Sequence, residues 1–254
     1  MLTARIAKLS HRVLSENTRI YKVLYRTWKR QEYRKIIKSL KGQRVTSELV
    51  TLVDIGANRG EVTQILLQSF PRIEAAHLID PNLTVLNYAR LALADEIGAD
   101  RVSLHPLAIA DHSGAGYLTV DPTRPSTDQR VLTSRTGECV KTVCSELDDF
   151  LRLHGIHDRL LLKIDVQGTD VSVLRSGLES LARMTRVVVI IELDPIALEE
   201  VGESVRSLSA VIERSGFTAV LDARGTEIDL EKVWTSLYTH RKYQDILLVK
   251  ERQN

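Results

Sequence analysis

The sequence predicts an α/β protein with a largely parallel sheet and helices on both of its faces. Three observations carry that prediction. From Leu49 onward, short apolar runs alternate with longer stretches of helical spacing, the pattern of βαβ units. The runs are continuously apolar, as in "LLLKI" (160–164) and "VVVII" (187–191), which suits strands buried on both sides. A bend holding two glycines, "VDIGANRGE" (53–61), joins the first strand-like run to the first helix-like one.

The elements follow in order. Strand-like "ELVTLVD" precedes helix-like "EVTQILLQSF"; then come "EAAHLID", the helical "LTVLNYARLALADEIG" and the strand "RVSLHPLA". Residues 111–143 are rich in Gly, Pro, Ser and Thr and read as short strands around a long loop. That loop, "PTRPSTDQRVLTSR", holds Arg124, Ser126, Asp128, Arg130 and Arg135; it reads equally as a lid over an acceptor and as a surface loop. The alternation resumes with helix "SELDDFLRLHG", strand "RLLLKIDV", helix "TDVSVLRSGLESLA" and strand "RVVVIIEL". A helix over about 196–215, a strand "FTAVLD" and a last strand "DILLVK" close the chain.

Ahead of this domain, assigned to 45–254, lies a basic amphipathic helical extension over 1–44. Leu2, Ile6, Leu9 and Val13 recur at helical spacing, followed by Ile20, Leu24 and Trp28, then Tyr33, Ile36, Ile37 and Leu40, with Gly42 as the stop. The extension carries thirteen Lys or Arg against two acids, a net +11, while the remainder has 22 basic and 31 acidic residues, a net −9. Such a helix can pack across the domain with its charges in water, or meet anionic lipid, nucleic acid or an acidic partner.

Composition narrows the class. With 43% hydrophobic residues the chain can bury a full core, yet no apolar run approaches the roughly 18 residues of a membrane span. No secretory signal is visible, so a cytoplasmic protein is expected, with peripheral membrane contact as an option for the basic helices. Cys139 and Cys144 are expected as free thiols, and a zinc site would need more ligands nearby in the sequence than they have.

The chemistry starts at the bend. Gly56 and Gly60 permit positive φ and let a ligand approach bare backbone, and the next helix presents unpaired N–H groups. A dinucleotide fingerprint needs G-x-G-x-x-G, but Asn58 stands at the middle glycine, which counts against an NAD-dependent oxidoreductase. Asp54, just before the turn, is awkward for a pyrophosphate and suits a ligand bearing an ammonium and a sulfonium. S-adenosylmethionine is such a ligand. Asp80 follows the turn by about one βα unit, where an acid takes both ribose hydroxyls; its other reading is a helix cap. Pro81 and Asn82 open the next helix beside it, and Ala108 joins the same cofactor-binding set.

"VDIGANRGEVT", "HLIDPN", "LAIADHSG", "SELDDFL" and "LLKIDVQGTDVSVLRSG" together resemble, in order and spacing, the FkbM family of S-adenosylmethionine-dependent methyltransferases. The resemblance covers roughly residues 48–250. It implies a Rossmann-like sheet of seven strands, the last antiparallel, and O-methylation of hydroxyls on sugars, glycans or natural products. The family usually carries K-x-D-V-E-G; Lys163, Asp165 and Gly168 match, but Gln167 replaces the Glu.

An alcohol must lose its proton during methyl transfer, which favours a positioned base or a metal. Asp165, at the end of the fourth strand, is the first candidate for base or cofactor orienter, and Glu192, at the end of the fifth, is the second. Together they could hold Mg²⁺ through oxygen ligands. In the bland readings, Asp165 caps a helix and Glu192 is a buried partner of Lys163. No single histidine, including His105, His112, His154, His157 and His240, is assigned a role. Two other readings remain. A nucleic-acid methyltransferase is disfavoured by "KIDVQG", which lacks the Pro-Pro-aromatic motif of base-flipping amino methylases, and by 5% aromatic content. A non-catalytic docking module for a membrane or assembly would fit the basic helices and Gln167.

Overall fold

In the computed structural model, residues 19–119, 131–132 and 137–251 are described. A long helix α1 (Arg19–Gly42) and a short 3-10 turn lead into β1 (Thr51–Ile55), α2 (Glu61–Ser69), β2 (Ala75–Ile79), α3 (Leu83–Ala92), the short α4 (Ala94–Gly98) and β3 (Val102–His105). A smaller group follows: β4 (Ala108–Ile109), β5 (Gly114–Thr119), β6 (Val131–Leu132) and β7 (Cys139–Ser145). Then come α5 (Leu147–Leu153), β8 (Leu160–Ile164), α6 (Asp170–Ser176), α7 (Leu178–Arg183) and β9 (Arg186–Leu193). The chain finishes with α8 (Pro195–Glu200), α9 (Val205–Ser215), β10 (Ala219–Asp222), α10 (Leu230–His240) and β11 (Gln244–Glu251).

The main sheet has seven strands in the order β10-β11-β9-β8-β1-β2-β3. Every pairing from β9 through β3 is parallel, and only β11 runs against its neighbours. The expected fold class is therefore the observed one. The order reverses between β1 and β8, and a crevice at such a reversal, outside the carboxyl ends of the strands, is where open α/β sheets bind ligands. A second sheet, β4-β7-β5-β6, stands beside this edge.

Side chains alternate along each strand, so the continuous apolar runs feed two cores. Val53, Ile55, Leu162, Val189 and Ile191 meet Phe150 and Trp234 on one face. Leu52, Leu161, Val188 and Ile190 meet Leu66 on the other, together with Tyr33, Ile36 and Leu40 of α1. Those three α1 residues are at most 2% exposed, so this half of the basic helix is packed as core. Burying a large apolar side chain contributes about 1.5–3 kcal/mol, enough to fix the helix on the sheet. Residues 1–18, with Leu2 to Val13, lie outside the described residues, as do the side chain of Trp28 and the loop residues Arg124 to Arg130 and Arg135.

Several elements differ from the sequence expectation. The helix expected over 83–98 divides at Leu93, that over 169–182 divides at Gly177, and the strand expected over 101–108 ends at His105, with Ala108 passing into the second sheet. The helix over 196–215 is two helices, because Gly202 takes φ +83 and Ser204 starts a fresh helix with a reciprocal capping box to Ser207. The helix α10 was not anticipated, although Leu230, Val233, Trp234 and Leu237 recur at helical spacing and all four pack on the core. Cys139 and Cys144 are free thiols. No helix among the described residues is long and apolar enough to cross a membrane.

Candidate functional site

A cavity of about 300 Å³ opens at the carboxyl end of the sheet. Its floor is the bend after β1. Gly56 has φ +73, and a Cβ there would lie 2.0 Å from the Asp165 carbonyl oxygen, so only glycine lets the bend pass under the end of β8. The Asn58 backbone, at φ +49, is turned so that its N–H donates to Asp80 Oδ2 at 2.9 Å. Asp80 Oδ1 accepts from the Asn82 N–H at 2.8 Å. The cap of α3 is Asn82, whose side chain accepts from the Thr84 N–H, so Asp80 is not spent on capping. Burial pushes the Asp80 carboxyl up to about 6, against the pull of the two backbone N–H groups.

Of the expected cofactor contacts, Gly56, Asn58, Asp80, Pro81, Ala108 and Asp165 all line this one cavity. Asp54, Gly60 and Asn82 do not. Asp54 is fully buried under the floor, where it accepts from Thr63 Oγ1 at 2.6 Å and lies 3.2 Å from Lys163 Nζ. The register of β1 on β8 sets Asp54 directly beside Lys163, and of the two only Lys163 lines the cavity. Gly60 caps α2 at φ +76, and a Cβ there would press on Leu78, Ala89 and Leu93; it serves close packing of helix on sheet.

The polar wall next to the floor is an alternating charge cluster. Lys163 Nζ is 3.3 Å from Asp165 Oδ2 and donates to the Gly56 carbonyl at 3.0 Å. Burial alone would raise the Asp165 carboxyl, but the ammonium groups of Lys163 and Lys29 outweigh it and hold it below its ordinary value. Gln167, in left-handed backbone at φ +57, directs Nε2 to Asp165 Oδ1 at 3.4 Å. A Glu at that position would place a second carboxylate against Asp165, so the amide suits this wall.

Glu192 also lines the cavity, but burial and then the carboxylates of Asp165, Asp170 and Asp245 push it up to about 9. Those causes favour its protonated form near neutrality. It is not the partner of Lys163, since Asp54 and Asp165 are. Asp165 and Glu192 belong to no group of three converging carboxylate, His or Cys ligands among the described residues, and Asp165 is already engaged by Lys163, so the pair is a poor oxygen cage for Mg²⁺.

Several lining residues escaped the sequence reading: Lys29 from α1, Glu61, Asp194, and Tyr243 ahead of β11. No local pattern marks Lys29 or Tyr243, because each reaches the cavity only through the packing of the chain's two ends. Leu118 and Val131 of the small sheet complete the wall. His112 is half-buried and pairs with Asp111 at 2.9 Å, away from the cavity lining.

Comparison with known proteins bears on this geometry. A family model described as the methyltransferase FkbM domain matches residues 54–219. No curated protein matches the chain. Among solved structures, a methyltransferase FkbM from Methylobacillus flagellatus KT is similar at 15% identity and TM-score 0.47, covering 80% of this chain and 44% of that one. A geranyl diphosphate methyltransferase in complex with SAM is similar at 12% identity and TM-score 0.49, covering 94% of this chain and 93% of that one. The mitomycin 7-O-methyltransferase is similar at 17% identity and TM-score 0.44, covering 98% and 67%. The chain thus spans under half the length of the first of these.

Proposed function

This chain belongs to the FkbM methyltransferase family, and from that premise we propose that it transfers a methyl group from S-adenosylmethionine to a hydroxyl of a sugar, glycan or natural-product acceptor. One observation carries the proposal: Asp80, Gly56, Asp165 and Glu192, at the ends of four neighbouring strands, line a single cavity. Three strand spacings separate the outer two, roughly 14 Å, room for an adenosine at one end and an acceptor at the other.

When bound, S-adenosylmethionine supplies an electrophilic methyl group on a sulfonium. The bare backbone at Gly56 and Asn58 gives it room. Asp80 uses one lone pair on each oxygen for the Asn58 and Asn82 N–H groups, which leaves both oxygens able to accept a ribose hydroxyl. Asp165, kept ionised by Lys163, accepts the hydrogen of the acceptor hydroxyl, orients the oxygen and receives the proton as the new bond forms. Protonated Glu192 donates to a second acceptor oxygen. Lys29, Gln167 and Tyr243 add polar groups on this side, a lining suited to a polyhydroxylated molecule.

The test is two-fold. Calorimetric titration with S-adenosylhomocysteine should show binding that Asp80→Ala abolishes in a folded protein. Labelled-methyl transfer to a panel of hydroxylated acceptors should then fall about 10²–10⁴-fold in Asp165→Asn. A folded wild type that binds no S-adenosylhomocysteine would overturn the reading. Transfer to amines or carbon in place of oxygen would overturn its acceptor class.

A further inference from the structure

Away from the cavity lining, three histidines far apart in sequence converge. His77 lies on β2, His105 ends β3, and His154 caps the carboxyl end of α5. Their rings gather about Phe150, with centroid distances to it of 5.8, 5.0 and 4.4 Å. His77 Nδ1 and His105 Nε2 face each other at 3.0 Å. One ring nitrogen from each of the three lies within 4.8 Å of the others, and no other such group of His, Cys, Asp or Glu occurs among the described residues.

Hydrophobic packing accounts for rings against Phe150. It does not account for one ring nitrogen of each histidine lying within 4.8 Å of the other two. We propose that His77, His105 and His154 form a binding site for a divalent first-row transition cation such as Zn²⁺, with the remaining coordination position open to solvent. The donor set is all imidazole, which suits zinc and its neighbours and not Mg²⁺ or Ca²⁺. Nitrogens bound to a tetrahedral zinc at about 2.0–2.1 Å sit roughly 3.3 Å apart, so the His77–His105 pair has only to open slightly. His154 is exposed and gives the ion a way in.

The proton count closes. In the facing pair, one of the two nitrogens carries the hydrogen that the other accepts. On binding, that proton moves to the outward nitrogen of the same ring, and both inward lone pairs enter bonds to the cation. Once filled, the site ties the end of α5 to β2 and β3. Leu107 and Ala108, two and three residues beyond His105, line the cavity, so the clip would brace that wall.

The experiment uses the full chain, free of any affinity tag and stripped of metal. Zn²⁺ is titrated by calorimetry and Co²⁺ by visible absorption, on wild type, His154→Gln and His105→Gln. The expected result is saturable binding of a single equivalent, and a cobalt spectrum without thiolate charge transfer, which separates the site from Cys139 and Cys144. Loss of one ligand should weaken binding by at least the roughly 10–100-fold seen when an outer-shell partner is lost. His154 is exposed, so His154→Gln should fold, and its metal-free unfolding midpoint checks that it does; if His105→Gln does not fold, His154→Gln decides. No saturable binding by the folded wild type, unchanged affinity in His154→Gln, or a thiolate band would each overturn the proposal. None of these readouts requires S-adenosylmethionine.

Discussion

Replacing Lys163 with Met tests the charge cluster under the cavity directly. Lys163 and Asp54 are 3% and 0% exposed, with Nζ to Oδ1 at 3.2 Å. At an effective dielectric of about 20, two unit charges at that separation attract by about 5 kcal/mol. The contact is chiefly coulombic, because Asp54 Oδ1 accepts no hydrogen bond. Methionine fills similar volume but leaves Asp54 with only the Thr63 hydroxyl, and stranding one partner of a buried pair costs about 3–5 kcal/mol. In a chain of this size each kcal/mol moves the unfolding midpoint by about 2–4 °C, so Lys163→Met should melt roughly 6–20 °C lower. Asp54→Asn/Lys163→Met removes both charges of this pair and keeps an acceptor for Thr63; Asp165 still loses its ammonium partner, so the double variant should recover part of the loss. Urea and thermal unfolding of both variants measure this. A single variant that loses less than about 1 kcal/mol, or a double variant no more stable than the single, would refute the assignment of Asp54 to Lys163.

Three further outcomes are expected. Because Asp80 titrates at about 6, its carboxylate becomes protonated as pH falls through that value, and S-adenosylhomocysteine affinity should drop by up to about tenfold per pH unit below it. Asp80→Asn should bind weakly and without that slope; a wild-type affinity flat from about pH 5 to pH 8 counts against Asp80 as the ribose ligand. Glu192, raised from 4.5 to about 9, costs the fold stability that grows as pH rises from the lower value and is complete at the upper, so Glu192→Gln should flatten stability across that range and keep activity at neutral pH within a few fold, roughly. Gly56→Ala would force a Cβ to 2.0 Å from the Asp165 carbonyl oxygen at a φ of +73, and should cost more than about 1–2 kcal/mol and at least roughly tenfold in S-adenosylhomocysteine affinity. A Gly56→Ala protein indistinguishable from wild type in calorimetry would mean that the bend does not pass under β8.

Much of this protein was determined locally. Continuously apolar runs between helical periods dictate parallel strands buried on both faces, because each run must satisfy two apolar environments at once. Gly56, Asn58 and Asp80 were legible because a sharp strand-to-helix turn and an acid at a strand end each have few residue solutions. The expected helix over 196–215 failed where one glycine at positive φ and one capping serine outweighed an unbroken apolar period. What tertiary structure alone decided is which side chains meet. Asp54 and Lys163 are each visible in the sequence, but only the register of β1 on β8 pairs them and hides the acid beneath the cavity. Lys29 and Tyr243 reach the cavity from opposite ends of the chain, and His77, His105 and His154 converge across two strands and a helix. The protonation states of Asp165 and Glu192 belong to the same level, since burial and neighbouring charge act through space, and a linear pattern encodes neither.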